Sequence, residues 1–108
     1  GRSKNMLLGP SGQNIYPEEI EDQLNSMLYV GESLVIHREG KLVALIHPDY
    51  DTAFKEGKTE QDVAAQMDAN RMELNKNLPA YSQISSVQIF SEEFEKTPKK
   101  SIKRYLYQ

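Results

Sequence analysis

A chain of 108 residues is long enough for one domain with a modest core but too short for a large two-lobed enzyme. Hydrophobic residues make up 38% and charged residues 27%, with a net charge of −3, which is typical of a globular domain and argues against wholesale disorder. The chain has no cysteine, which excludes disulfides and thiolate metal sites, and neither a bilayer-spanning apolar run nor a signal-peptide pattern, so we expect a cytoplasmic location.

The charge is unevenly distributed along the chain. Residues 1–95 contain all 16 acidic residues and 8 of the 13 basic ones, whereas residues 96–108 contain the other 5 basic residues and no acid. A basic end on an acidic body predicts an anionic partner at that end. We do not expect the partner to be a nucleic acid, because five basic residues without a recognised binding module are weak evidence for one.

The first 21 residues, GRSKNMLLGPSGQNIYPEEIE, combine a basic pair, a loop and a helix start. Arg2 and Lys4 are cations on a short extended segment, and residues 9–14 are of types able to take unusual backbone angles. Pro17 occupies the favoured first position of a helix with an acidic first turn. Composition alone favours an ordinary loop and helix, since Gly-rich loops without a full phosphate signature are common.

Apolar spacing predicts two helices, with a helical turn near Thr52–Lys55 between them. The first helix stops before Gly31, and its buried face is Ile20, Leu24, Met27 and Leu28. The second begins at Thr59 with a weak capping box, is interrupted near residues 70 and 71, and is closed by Pro79. Its buried face is Val63, Met67, Leu74 and Leu78.

Three strands are predicted beside these helices. Ser33–His37 and Lys41–His47 form a hairpin around Gly40, and the second of them is apolar in both registers, which favours a central position. Ser85–Phe90 alternates apolar and polar residues, as in a strand with one better-buried face. Helices on a small, mainly antiparallel three-stranded sheet make the predicted fold α+β.

Two histidines and two pairs of carboxylates are of residue types that could serve catalysis or metal binding. His37 and His47 each lie at a strand end without a neighbour at metal-ligand spacing, so a structural role is favoured and no metal site is predicted. The pairs at residues 18–19 and 92–93 are interpreted as capping and solvated charge rather than an acid/base dyad.

Several positions of the first stretch also match a motif. They are Gly1, Arg2, Lys4, Gly12, Asn14, Ile15, Pro17, Glu19, Ile20 and Glu21. In this order they resemble the hinge and following loop of the adenylate-forming superfamily, Gly-Arg-x-Lys/Asp and then Gly-x-Asn-Ile-x-Pro-x-Glu-Ile-Glu. That superfamily comprises acyl-CoA synthetases, luciferases and peptide-synthetase adenylation domains.

The last stretch, FEKTPKKSIKRYLY, allows two interpretations. Taken alone it is typical of a basic amphipathic helix with Ile102, Tyr105 and Leu106 packed inward. It also resembles the last motif of the same superfamily, roughly Pro-x-Thr-x-x-Gly-Lys-Ile-x-Arg, with Thr97, Ile102 and Arg104 in their expected places.

The resemblance covers all 108 residues and implies a single C-terminal lid domain, with a hinge and Gly-rich loop at residues 1–16 and a basic segment at residues 96–108. The Thr-Pro and Lys-Arg-Tyr-Leu details are most similar to long-chain fatty acid–CoA ligases. Because the chain opens inside a motif without an initiating Met, we expect it to be part of a longer polypeptide. Its partner would be its own large N-terminal adenylation domain.

The resemblance further implies an ATP-dependent, AMP-forming ligase. Such an enzyme activates a fatty acid with Mg-ATP to an acyl-adenylate, rotates its lid, and transfers the acyl group to coenzyme A. ATP, Mg²⁺, coenzyme A and the fatty acid would bind the parent enzyme, whereas this chain alone is expected to be inactive and to bind none of them tightly. Peripheral membrane association of the parent is an alternative to a wholly cytoplasmic location.

By the same resemblance, Arg2 would approach the nucleotide and Lys4 would be the hinge. Gly12, Gln13 and Asn14 would line the tunnel for the pantetheine arm of coenzyme A. These assignments come from the position of each residue in the motif.

The C-terminal motif departs from the superfamily at its most important position. Ser101 stands where the catalytic lysine is expected, and Lys100 where the preceding glycine is expected. Lys100 and then Lys99 are therefore the candidate catalytic lysines, with Lys103 close by. The alternative is a non-catalytic anion-binding or interaction module that keeps the fold and has lost the activity, which Ser101 supports.

Overall fold

The computed structural model describes residues 6–9 and 11–107. In chain order its elements are β1 (Leu7–Leu8), β2 (Asn14–Ile15), α1 (Pro17–Asn25), β3 (Val30–Arg38), β4 (Lys41–Pro48), α2 (Tyr50–Lys55), α3 (Glu60–Asn75) and β5 (Ile84–Ile89). Single 3₁₀ turns lie at Ala80–Ser82 and Arg104–Leu106. The predicted α+β class is confirmed.

The main sheet has the strand order β3–β4–β5. β3 and β4 form the predicted antiparallel hairpin, and its turn residues Glu39 and Gly40 both have positive φ (53° and 78°), as a tight two-residue turn requires. β5 pairs in parallel with β4, because α2 and α3 carry the chain back across the sheet before β5 begins. The sheet is therefore mixed rather than wholly antiparallel.

The central strand β4 divides the core into two clusters, because successive side chains of a strand face opposite sides. Its residues 42–46 are all buried, as predicted for a strand covered on both faces. The face that we call the helix face carries Leu42, Ala44 and Ile46 and packs with residues of α1 and α3. The other, which we call the outer face, carries Val43 and Leu45 together with Leu34, Ile36 and Phe94.

The end of the first helix was predicted wrongly. α1 ends at Asn25 and is capped by Ser26, so the residues beyond it are not helical. Gly31 lies inside β3 at a break in the strand register instead of stopping the helix. A Cβ at Gly31 would lie 2.8 Å from the backbone oxygen of His47, so this glycine allows two strands to approach closely.

The second long helix begins as predicted. The Thr59 side chain accepts a hydrogen bond from the Asp62 amide (3.1 Å) and the Asp62 carboxylate accepts one from the Thr59 amide (2.9 Å), which completes a capping box. α3 ends at Asn75, four residues before Pro79. With 16 residues α3 is the longest helix described, and none in residues 6–9 and 11–107 is both long and apolar enough to span a membrane.

α3 runs without a break through Asn70 and Arg71, where an interruption was predicted. The Asn70 amide donates to the carbonyl of Leu28 (3.0 Å), and the Arg71 guanidinium donates to the carbonyl of Ile84 (3.1 Å). Both polar side chains thus tie the helix to neighbouring segments. Tertiary contacts outweigh the weak helical preference of Asn here.

The predicted amphipathic helix at the C-terminus is also wrong. Residues 96–102 form a turn closed by an antiparallel bridge between Lys96 and Ile102. Tyr105 and Leu106, which were predicted to pack inward, are 72% and 48% exposed. Tyr107 packs on the outer face in their place.

Candidate functional site

The Gly-rich loop of residues 9–14 connects β1 and β2, which pair antiparallel. The Gly12 amide donates to the carbonyl of Gly9 (3.1 Å), and the Gly9 amide donates to the carbonyl of Gln13 (2.8 Å). Gly12 has φ +84°, and no described atom lies within 4 Å of the place where its Cβ would stand. Glycine therefore serves the backbone angle, and it also leaves open space beside the loop.

The predicted coenzyme A residues Gly12, Gln13 and Asn14 share this one loop, but they differ in environment. Gln13 is half-buried, and its side-chain oxygen accepts a hydrogen bond from the Ser11 amide (3.1 Å). Asn14 is exposed in β2. Gln13 therefore holds the loop in shape, whereas positions 12 and 14 are accessible to a ligand.

Gly9 was not among the predicted site residues, but it packs more closely than Gly12. A Cβ at Gly9 would lie 2.7 Å from the side-chain oxygen of Gln13 and 3.5 Å from the Cβ of Tyr81. The glycine thus lets the loop lie against the 3₁₀ turn at Ala80–Ser82. A contact between segments about 70 residues apart leaves no signal in local sequence.

A cleft of about 110 Å³ adjoins the loop. His37 and Lys41 are exposed at its edge and supply polar and cationic character. Three separate segments line it, namely the loop, the β3–β4 turn and the residues before β5, through Gly9, Ile15, His37, Gly40, Lys41, Leu42, Ala80, Tyr81, Gln83 and Ser85. No local sequence signal marks this cleft, because no single segment contains it.

The C-terminal turn of residues 97–101 has a defined hydrogen-bond pattern. The Lys100 amide donates to the carbonyl of Thr97 (2.8 Å), and the Thr97 amide donates to the carbonyl of Ser101 (2.8 Å). The Ser101 amide also donates to Thr97 Oγ1 (3.3 Å). This is the pattern of a hairpin turn that ends in a left-handed residue.

That left-handed residue is Lys100, with φ +67°. It stands where the superfamily motif has glycine, so the turn keeps the glycine conformation with a lysine side chain. The candidates Lys99, Lys100 and Ser101 are all exposed and lie together on this turn.

Two of the five basic residues of the C-terminal segment are committed to ion pairs with the body of the domain. Lys96 Nζ contacts the Glu32 carboxylate and lies 3.4 Å from Glu93, and the hydrogen bond with Glu32 raises the pKa of Lys96. Arg104 pairs with Glu21. Within the described part of the chain no ion pair involves the other three, Lys99, Lys100 and Lys103, so these cations are available to an anionic ligand.

Among the described residues, Glu21 has a strongly raised pKa and two hydrogen-bond partners for its carboxylate. Its Oε2 accepts a hydrogen bond from the Val35 amide (2.7 Å), and its Oε1 contacts Arg104 Nη2. Burial raises the pKa of Glu21 to about 7, although the Val35 amide and Arg104 both act to lower it. The sequence places Glu21 in the motif but cannot reveal a partner 83 residues away.

The two candidate loops attach to opposite faces of the sheet. Leu7 and Ile15, on either side of the Gly-rich loop, pack into the helix-face cluster. Phe94 and Ile102, on either side of the C-terminal turn, pack into the outer-face cluster, where Tyr107 lies 5.0 Å from the Phe94 ring. One sheet therefore separates the two sites.

Three further residues considered in the sequence, Arg2, Lys4 and His47, remain to be placed. Arg2 and Lys4 lie outside the described residues. His47 Nδ1 lies 3.0 Å from the carbonyl oxygen of Phe90, which fits the predicted structural role. A larger cleft of about 450 Å³ next to His47 is lined by acidic side chains that include Asp49 and Glu93, and it does not favour an anionic nucleotide.

The protein-family model of the AMP-binding enzyme C-terminal domain matches residues 5–107 of this chain. The chain belongs to this family. Both candidate loops of this AMP-binding C-terminal domain lie within the matched range.

Solved structures with the same fold include several adenylate-forming enzymes. The adenylation domain of a carboxylate reductase from Mycobacterium chelonae matches 94% of this chain with a TM-score of 0.78 at 13% identity. An anthranilate CoA ligase in complex with anthranoyl-AMP matches 98% with a TM-score of 0.75 at 23% identity. A fatty acyl CoA synthetase from Mycobacterium tuberculosis matches 94% with a TM-score of 0.60 at 22% identity.

These likenesses show the fold of the domain and nothing of its substrate. The chain spans 17%, 19% and 18% of those three structures, respectively. No curated protein sequence matches the chain. The chain is therefore similar to a small part of each of these enzymes.

Proposed function

We propose that this domain is the mobile lid of an ATP-dependent CoA ligase that acts on long-chain fatty acids. The parent enzyme joins a fatty acid to AMP and then transfers the acyl group to coenzyme A. The lid works with a large N-terminal adenylation domain and supplies a different loop to each step.

The observation that carries this proposal is the placement of the two loops on opposite faces of one sheet. The Gly-rich loop packs with the helix face and the lysine turn with the outer face. Two loops so placed cannot both meet one reacting carbonyl while the domain stays still. A two-step reaction with a rotation between the steps uses both loops in turn.

In the first step, a carboxylate oxygen of the fatty acid attacks the α-phosphorus of ATP, and pyrophosphate leaves. Negative charge gathers on the departing pyrophosphate, and a positioned cation stabilises it. We assign this role to Lys100, with Lys99 as second candidate, because both are exposed on the turn that bears the superfamily motif. Ser101 cannot supply a positive charge.

In the second step, the sulfur of coenzyme A attacks the acyl carbonyl carbon, AMP leaves, and the thiol proton passes to solvent or to a base. A pantetheine arm needs a narrow passage past the lid. We assign that passage to Gly12 and Asn14, with Gln13 shaping the loop from within. The cleft beside the loop places the Lys41 cation where it meets a phosphate group of coenzyme A.

ATP and Mg²⁺ are assigned to the parent enzyme rather than to this domain alone. Within the described residues no group of three His, Cys, Asp or Glu side chains could hold a metal ion, so no step is attributed to Mg²⁺ bound by this domain. Arg2 and Lys4 keep their proposed roles toward the nucleotide and as the hinge.

The preference for long-chain fatty acids rests on the Thr-Pro and Lys-Arg-Tyr-Leu details of the C-terminal motif. The test is to purify the full parent polypeptide and to supply ATP, Mg²⁺ and coenzyme A with acids of 4 to 18 carbons, with malonate and anthranilate as controls. Pyrophosphate release and CoA thioester formation are measured together. Greatest turnover with the long acids supports the proposal, whereas greatest turnover with a control acid rejects the substrate assignment.

A second function is favoured by one observation, namely serine at the position of the catalytic lysine. In this alternative the domain is a non-catalytic anion-binding or interaction module. A parent polypeptide that releases no pyrophosphate with any acid, although its adenylation domain is folded, would support this alternative.

A further inference from the structure

We propose that Glu21 is a positioning residue which, through Arg104, fixes the place of the turn that carries Lys99, Lys100 and Ser101. This inference rests on the proposed function for its catalytic meaning. The contacts that support it belong to the domain itself.

A single carboxylate joins three parts of the domain. Glu21 lies on α1, and β3, at the edge of the sheet, donates the Val35 amide to its Oε2 (2.7 Å). The other oxygen, Oε1, contacts Arg104 Nη2. Glu21 thus stands where the helix, the sheet edge and the C-terminal segment meet.

Arg104 anchors the segment that follows the turn of residues 97–101. The segment that precedes this turn is anchored at Lys96, which contacts Glu32 of β3. The Lys103 amide donates to the carbonyl of Glu95 (2.8 Å) and joins the two segments. Both segments are thereby tied to the body of the domain through carboxylates, and the lysines of the turn between them are held in one place.

The pair is poorly suited to a role in stability alone. Glu21 is buried, and the side chain of Arg104 is 15% exposed, so both charges have lost most of their hydration. Arg104 Nη1 is also buried and has no hydrogen-bond partner among the described residues. A pair of apolar side chains would fill this space without these costs, but it would not fix the register of the turn.

Among the described residues, the charged groups that face Glu21 are Arg104, from the C-terminal segment, and Glu18, one turn earlier on α1. The side facing β3 contributes the neutral amide of Val35 and the hydroxyl of Ser33, which reaches the Glu21 carbonyl (3.4 Å). Arg104 Nη2 also lies 3.9 Å from Glu18. Because Arg104 bonds to the Glu21 carboxylate, we expect ionisation of Glu21 to affect how firmly the C-terminal segment is held.

The test compares three variants of the parent enzyme. Glu21→Gln removes the charge but keeps an acceptor for the Val35 amide, and Glu21→Met with Arg104→Met replaces the pair with apolar side chains. Asp68→Asn is the matched control, because it removes the carboxylate of another arginine pair on α3 (2.8 Å), and the side chain of Asp68 is 54% exposed. Adenylation and transfer from a preformed acyl-adenylate are measured separately.

We expect the double Met variant to keep its unfolding temperature while adenylation falls at least tenfold and acyl transfer stays within twofold. The pH profile of adenylation should lose its inflection near neutral pH in Glu21→Gln and keep it in Asp68→Asn. Adenylation within twofold of the parent in both Glu21→Gln and the double Met variant overturns the proposal. If the double Met variant unfolds, Glu21→Gln decides alone, and adenylation within twofold of the parent in that variant overturns the proposal.

A measurement on this domain separates the proposal from the proposed function. Amide hydrogen exchange at Lys100, whose N–H bonds to Thr97, should be at least tenfold faster in Glu21→Gln than in Asp68→Asn. If the parent shows no adenylation but this difference is found, the proposed function fails and the positioning role stands. Equal exchange in the two variants removes the positioning role.

Discussion

The Gly-rich loop and the C-terminal turn share a backbone conformation but place different residue types in it. Each closes an antiparallel pairing and each contains a left-handed residue, Gly12 (φ +84°) in one and Lys100 (φ +67°) in the other. Glycine takes this conformation at no steric cost, whereas a lysine is strained in it. The loop therefore has no side chain at its left-handed position, whereas the turn carries a lysine there at the cost of backbone strain.

The two regions also differ in how they are held. The loop is fixed mainly by its own backbone and by Gln13, while the turn depends on distant groups, namely Glu21, Glu32 and the aromatic cluster of the outer face. Changes to the outer face should therefore affect the turn first and leave the loop intact.

The largest expected effect on stability is that of Phe94→Ala. Phe94 is 3% exposed and its ring centroid lies 5.1 Å from that of Phe90. Its removal should lower the free energy of unfolding by about 3–5 kcal/mol. Urea unfolding measures this loss, with Phe54→Ala as control, since Phe54 is 49% exposed. A loss of equal size in both variants would contradict the importance of the outer-face cluster.

Replacing Lys100 tests whether the turn serves adenylation. Lys100→Ala in the parent enzyme should slow adenylation by about 10²–10³, the usual effect of losing one preorganised donor. Lys99→Ala and Lys103→Ala should have smaller effects, and pyrophosphate exchange measures all three. If every alanine variant keeps its rate and Ser101→Lys raises it strongly, no lysine has been recruited in place of the missing one.

The pH dependence of stability tests the environment of Glu21. Its pKa is raised from 4.5 to about 7, so the folded state binds more protons than the unfolded state between these values. Stability should therefore fall as the pH rises from 4.5 to 7, by at most about 3 kcal/mol. Urea unfolding at several pH values should show this fall in the unchanged domain and not in Glu21→Gln. A stability that rises over this range relative to Glu21→Gln would contradict the raised pKa.

The smallest effects come from exchanging side chains at the two left-handed positions. Lys100→Gly should relieve strain and stabilise the domain by about 1 kcal/mol, whereas Gly12→Ala should destabilise it by a similar amount. Gly57→Ala is the matched control, because Gly57 has φ +83° and equally open surroundings. If Lys100→Gly and Gly12→Ala change the free energy of unfolding in the same direction, the two turns are not equivalent in backbone strain.

The features predicted from sequence are those with local causes. The capping box at Thr59, the hairpin around Gly40 and the central position of β4 follow from residue types at short spacing. The C-terminal helix was predicted wrongly because its apolar spacing suits a helix, while the turn is imposed by packing on the outer face and by the pairing of Lys96 with Ile102.

The features that the sequence could not predict depend on contacts across the fold. The Glu21–Arg104 pair joins residues 83 positions apart, and the cleft beside the Gly-rich loop is assembled from three segments. The motif resemblance pointed to Gly12 and Lys100 by position only. It could not indicate that their loops lie on opposite faces of the sheet.

Measuring the two half-reactions separately tests whether each loop serves a different step. In the parent enzyme, pyrophosphate exchange reports adenylation, and transfer from a preformed acyl-adenylate to coenzyme A reports thioester formation. The variants are Lys100→Ala and Gly12→Leu, with Gly57→Leu as control for a side chain at a left-handed position. We expect Lys100→Ala to impair only adenylation, Gly12→Leu to impair only thioester formation, and the control to impair neither. Equal loss of both half-reactions in Lys100→Ala and in Gly12→Leu would contradict it.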